Sequence, residues 1–100
     1  MFKAIILLAR RTDISAAEFR SWWLEEHAPL AAQLPGVRRI VFNVVADADD
    51  VDGVSELWFD SREAFDAAYA TELGRHVAAD SMAHVRSRTR MFVVEHPVVG

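Results

Sequence analysis

A chain of 100 residues that is 52% apolar can build one hydrophobic core and not two, so a single domain over residues 1–100 is expected. Its formal charge of −4 is made by 15 acidic and 11 basic residues distributed along the chain. That distribution argues against nucleic acid or an anionic membrane surface as a partner, because both demand clustered Lys and Arg, and the lack of any cysteine excludes disulfides and thiolate chemistry.

Residues 2–9, F-K-A-I-I-L-L-A, form a short apolar run closed by Arg10 and Arg11, which predicts a central strand covered on both faces. The run is too short for a signal peptide, its charges follow instead of precede it, and nothing nears the ~18 apolar residues of a spanning helix. A cytoplasmic protein is therefore expected. Residues 15–34 read as an amphipathic helix. Ser15 and Glu18 make a capping box at its start, and at ~100° per residue Phe19, Trp22, Trp23, Leu30 and Leu34 share one side, with His27 at its margin. Pro29 lacks an N–H and disfavours the α region for Ala28, so a kink or stop is predicted near His27.

Leu34-Pro35-Gly36 marks a turn, and residues 37–46 a second strand with Ile40, Phe42 and Val44 on one face and Arg39, Val41, Asn43 and Val45 on the other. The acidic connection D-A-D-D-V-D-G fails the calcium-loop pattern: with Gly53 at the sixth position, the first and twelfth are Ala48 and Phe59. A solvated turn is expected there. The third strand, residues 54–60, points Val54, Glu56 and Trp58 one way and Ser55, Leu57 and Phe59 the other. Ser61 caps a second helix with Phe65, Ala68, Tyr69 and Leu73 at core spacing, which Gly74 is expected to break or bend. A short helix to about Asp80, an irregular segment carrying Met82 and His84, and a fourth strand at residues 88–95 complete the reading. The tail 96–100 is extended and apolar.

The order β-α-β-β-α-β is that of a ferredoxin-like split βαβ, an α+β fold with a four-stranded antiparallel sheet and both helices on one face. The other face would still carry Val41, Val45, Val54 and Trp58. An apolar patch of that kind calls for a second copy, so a homodimer closed sheet to sheet is predicted, with a ligand cavity between each sheet and its helices.

The stretches F-R-S-W-W-L-E-E-H-A-P-L (residues 19–30), L-P-G-V-R-R-I-V-F-N (34–43), D-G-V-S-E-L-W-F-D-S (52–61) and V-V-E-H (93–96) together resemble the EthD-like family of small dimeric α+β barrel proteins. The resemblance implies that fold over nearly the whole chain. Relatives of the superfamily include lactone isomerases, polyketide cyclases, quinone-forming monooxygenases and proteins linked to ether degradation. In the lactone isomerases a histidine matching His27 and an asparagine matching Asn43 face the lactone. The methyl-migrating isomerases also use a cysteine, and this chain departs from them there.

Several polar side chains are candidates for the cavity. His27 can exchange a proton near neutral pH, and Asn43 can donate its amide to a substrate oxygen that gains charge. These two are the catalytic candidates of a site that needs no cofactor. Glu56 is a second acid or base, or orients His27, while Arg39, Trp23 and Trp58 are expected to help bind substrate. Each has a structural alternative. His27 can be a helix-terminal residue packed on Trp23, Asn43 a backbone partner at a strand edge or bulge, Glu56 the partner of Arg39 or of another nearby arginine, and Trp22 and Trp23 core residues. His76, Asp80 and His84 are four apart and would stack on one helix face, but nothing completes a metal shell in sequence, so surface residues and no metal are expected. The leading expectation is a metal-free, cofactor-free homodimer that binds a hydrophobic oxygenated small molecule such as a lactone, phenol or quinone. It would act on it by isomerisation, cyclisation or cofactor-independent oxidation. A non-catalytic binding or accessory protein and a purely structural dimer are the rivals.

Overall fold

The computed structural model describes all 100 residues. Strand β1 (Phe2–Arg10) lies inside the sheet because both of its edges are taken: it pairs antiparallel with β3 (Gly53–Phe59) on one side and with β4 (Val85–Val93) on the other. β2 (Arg39–Val44) pairs with β3, and the strand order β2-β3-β1-β4 leaves β2 and β4 as edges. This is the ferredoxin-like arrangement. Alternation sorts the side chains. Ala4, Ile6, Leu8, Leu57 and Phe59 join Phe19, Trp22, Trp23, Phe65 and Val77 of the helices in one core. Lys3, Ile5, Leu7, Val41, Val54, Glu56 and Trp58 stand on the opposite face, which no helix covers.

Of the kink or stop expected near His27, the first helical segment has an irregular turn that ends at His27 and no stop. Its capping box is present, with Ser15 Oγ accepting from Glu18 N at 3.0 Å and Glu18 Oε1 accepting from Ser15 N at 2.9 Å. After α1 (Ala16–Ser21) the chain widens into a π-helical turn, Trp22–His27, and resumes as α2 (Ala28–Ala31). Pro29 sits at the start of α2, where a missing N–H costs little. The proline is absorbed by a restart instead of ending the helix.

The second helical segment also differs. α3 (Arg62–Ala70) ends before Gly74, and α4 (Glu72–His84) runs on without the irregular segment expected around Met82. Thr71 explains both. Its extended backbone interrupts the helix, and its Oγ accepts from Gly74 N at 3.0 Å to cap the next one. Gly74 is therefore no breaker. It is buried in the first turn of α4, where a Cβ would run into the backbone of Ala68 and Tyr69. The acidic connection differs as well: Asp52 is buried, and its carboxylate accepts from Arg10 N at 2.9 Å and Arg10 Nε at 3.2 Å. It pins the β2–β3 hairpin to the end of β1. No helix is long and apolar enough to cross a membrane.

Because the obstruction at Gly74 is backbone, Gly74→Ala is expected to destabilise the protein by at least ~1–3 kcal/mol. Urea unfolding followed by circular dichroism should show a lower midpoint with an unchanged slope. A midpoint equal to that of the wild type would refute the close approach of α3 and α4.

Candidate functional site

In the π-helical turn the N–H of Ala28 bonds the carbonyl of Trp23, five residues back. That wider turn brings residue i near i+5. Trp22 lies against His27, with ring centres 5.0 Å apart, whereas an ideal α-helix would hold the two about 140° apart. Both rings then reach Asp80 of α4: Trp22 Nε1 donates to Asp80 Oδ2 at 3.2 Å, and His27 Nδ1 meets the same oxygen at 2.7 Å. One turn further on, His84 stacks on Trp22 at 4.2 Å. Its Nδ1 donates to the backbone oxygen of Asp80 at 2.8 Å.

A carboxylate only accepts, so His27 carries its proton on Nδ1 and leaves the Nε2 lone pair as an acceptor. That nitrogen faces Ser81 Oγ at 3.2 Å. Burial pushes the imidazole below the usual histidine value, and the hydrogen bond and charge of Asp80 oppose the shift without cancelling it. His27 is only 4% exposed. An imidazole so placed can accept a proton at Nε2, and the carboxylate at Nδ1 would then stabilise its charged form.

His27, Ser81, Ser55, Tyr69 and Arg88 are the polar lining of a chamber between sheet and helices, closed otherwise by apolar side chains that include Ile6, Leu8, Trp23 and Phe42. The chamber leaves about 20 Å³ for the centre of a water molecule, which is room for about one. Burial raises the Tyr69 hydroxyl and lowers the Arg88 guanidinium from their usual values. Two buried donors of this wall, Trp23 Nε1 and Arg88 Nε, have no acceptor in the protein. An unpaired buried donor costs about 1–3 kcal/mol, and a ligand oxygen would offset it.

Of the residues singled out in the sequence, only His27 and Trp23 line this chamber. Asn43, Glu56, Arg39 and Trp58 stand on the other face of the sheet, because β2 and β3 alternate and Phe42, Ser55 and Leu57 take the inward positions. There they bond to one another. Lys3 Nζ pairs with Glu56 Oε1 at 2.9 Å, and Asn43 Nδ2 donates to Val54 O at 2.9 Å and to Glu56 Oε2 at 3.2 Å. Trp58 Nε1 donates to Glu95 at 2.7 Å, with Lys3 and Arg39 over its ring. Lys3 first, then Asn43, holds the Glu56 carboxyl below the usual range. The expected partner of Glu56 was Arg39, and the ion pair observed is with Lys3. The structural alternative for Glu56, an ion pair on the sheet, is thus the one present, with a lysine in place of an arginine.

The sequence matches the EthD domain over residues 11–85. The chain belongs to the EthD family. An EthD family protein of Bacillus halodurans, 22% identical over 96% of this chain and 100% of its own, superposes with a TM-score of 0.83. SnoaB, a cofactor-independent oxygenase from Streptomyces nogalater, is 18% identical over 98% of this chain and 95% of its own, with a TM-score of 0.75. A dimeric ferredoxin-like protein of unknown function from Thermobifida fusca is 14% identical over 94% and 90%, at 0.78. Among proteins with a curated description, none matches the sequence. At these identities the solved structures share the fold with this EthD chain. Its His76, Asp80 and His84 do not form a metal cluster, since no group of three such side chains is placed to hold an ion. Asp80 and His84 serve the Trp22–His27 pair instead.

Sequence reasoning missed Ser81, Tyr69 and Arg88 as chamber residues and expected Asp80 at the surface, where it is instead half-buried against Trp22 and His27. Arg88 was findable, since alternation puts it on the inward face of β4 with Phe92. Because the folded state holds His27 below the value near 6.5 at which it titrates unfolded, the unfolded chain binds more protons as pH falls. Stability should thus be independent of this group above about pH 6.5 and decline below it. Urea unfolding at pH 7, 6 and 5 is expected to show that decline, and His27→Gln to flatten it. An equal decline in the variant would assign the slope to other groups.

Proposed function

We propose that the protein is a cytoplasmic homodimer that binds a small, hydrophobic, oxygenated compound of the lactone, phenol or quinone type beside His27. It converts that compound by proton transfer in an isomerisation or a cyclisation, or deprotonates it so that dissolved dioxygen, as the oxidant, takes the electrons without a cofactor. The observation that carries this reading is the His27–Asp80 pair, with Nε2 of a buried neutral imidazole on a chamber wall that also holds Arg88 and Tyr69. His27 Nε2 takes the proton from a C–H beside a carbonyl or from a hydroxyl. The positive charge then forming on the ring is stabilised by Asp80 through Nδ1–H, and the negative charge on the substrate oxygen by the guanidinium of Arg88 and the hydroxyl of Tyr69. In an isomerisation the imidazolium returns the proton to another atom of the same molecule. The cofactor-independent oxygenase among the structural relatives supports chemistry of this kind on this fold.

The dimer is supported by the uncovered sheet face, where Ile5, Leu7, Val41 and Val54 are only half-buried in one chain, and by a dimeric relative. All 100 residues act in it as one domain.

A thermal-shift panel of phenols, quinones and lactones tests the binding step, because a ligand selective for the folded state raises its melting temperature. Positive compounds are then assayed for turnover. His27→Ala should keep the fold and lower turnover by about 10²–10⁴, and kcat/KM of the wild type should fall on the acid side with a midpoint below 6.5. Turnover that survives in His27→Ala would remove the histidine from the chemistry. For the assembly, Val54→Asp on the outer face should shift sedimentation from two copies to one without loss of helix signal. A wild type that sediments as one copy would refute the dimer.

A further inference from the structure

The free space beside His27 admits about one water, so a ring compound reaches the imidazole only when part of the wall moves. Most of that wall cannot: Trp23 and Leu57 are buried in the core on the strands and helix that define it. Phe42 differs. It sits on the edge strand β2 and is half-buried. Its ring stacks on Trp23 at 4.3 Å and lies 6.1 Å from His27. Behind it is a second hollow, an open groove lined by Leu24, Ala28, Ala32, Ile40 and Phe42, with about 240 Å³ by the same measure. No polar side chain lines this groove, and Leu24 leaves 41% of its surface in solvent there. Phe42 is the one side chain common to groove and chamber.

We propose that the groove and the chamber are two halves of one substrate path and that Phe42 is the gate between them. The inference rests on the small-molecule reading of the His27 site and names the shape of the molecule. It has an aromatic or aliphatic body with no polar group, which lies on Leu24 and Ile40, and a single oxygenated end, which passes Phe42 to meet His27 and Arg88. When the Phe42 ring turns off Trp23, the oxygenated end takes its place against the indole and the body keeps water out. Phe42 thereby sets which compounds reach the base, and is a specificity residue without being a catalytic one.

The test uses isotope-labelled full-length protein and 1-naphthol as probe, read by nuclear magnetic resonance at the methyl groups of Leu24 and Ile40 and at the His27 ring. Both sets of signals are expected to move together in the wild type. Phe42→Ala removes the gate and should tighten binding at least threefold. Ala32→Trp plugs the groove from an exposed position and should weaken the His27 response at least tenfold, while the Nδ1–H signal of the His27–Asp80 hydrogen bond persists. Should the alanine variant not fold, Phe42→Leu carries the same expectation with less lost volume. A His27 response left intact by Ala32→Trp would overturn the path and leave the small-molecule site standing. No His27 response in folded Phe42→Ala would overturn the gate. Contacts between Leu24 or Ile40 and a second copy, seen in the free protein, would overturn it by assigning the groove to subunit packing.

Discussion

The five-residue hydrogen-bond step of the π-helical turn is the constraint on which the site depends. It alone brings Trp22 and His27 to one side of the helix, and so allows one carboxylate oxygen, Asp80 Oδ2, to receive both. Wound as α-helix, the same residues would point one of the two rings away from α4. The turn is in turn held by its aromatic neighbours. Trp23, with none of its surface exposed, packs on Phe19 and Phe42, and its ring lies so close to Gly53 of β3 that a Cβ there would stand 2.7 Å from it. The wide turn, the tryptophan pair and a glycine on the facing strand thus belong to one packing solution. π turns within α-helices are concentrated at functional sites, and here the reason is visible in which side chains the turn aligns.

The two faces of the sheet are used for different ends. Inward, the polar groups are few: His27 and Ser81 are buried, Tyr69 and Arg88 are half-buried, and the Nε of Arg88 has no partner. Outward, Lys3, Glu56, Asn43, Trp58, Arg39 and Glu95 bond to one another. Lys3, though buried, has carboxylates at 2.9 and 3.7 Å and an indole face at 4.6 Å, so its charge is compensated on several sides. Such a self-satisfied cluster specifies an arrangement and offers little chemistry. The same contrast separates Asp52, committed to Arg10 at the end of β1, from Asp80, which holds the His27 and Trp22 rings beside the chamber.

Much of the fold was legible in the chain. The βαββαβ order, the capping box at Ser15 and the inward and outward faces of β2 and β3 follow from periodicities and caps that are local properties, and the structure has them. The errors cluster where two segments meet. Gly74 reads as a breaker because its reason for being glycine, the backbone of α3, lies outside its own helix. Asp52 reads as solvated because Arg10 is 42 residues away in the chain.

For the site the division is sharper. Local pattern alone put a histidine at the margin of the apolar side of a tryptophan-rich helix, left an apolar sheet face uncovered, and set Asn43 and Glu56 opposite Phe42 and Ser55, since alternation and helical period need only neighbours in the chain. Packing in three dimensions set Asp80 and Ser81 on either side of that histidine, brought Arg88 and Tyr69 into its chamber, and left the outer cluster outside the chamber wall. Those pairings span more than fifty residues in the case of Asp80 and Ser81, and are set by how α4 crosses the π-helical turn. That crossing is governed by packing volume and backbone approach, which no local pattern encodes.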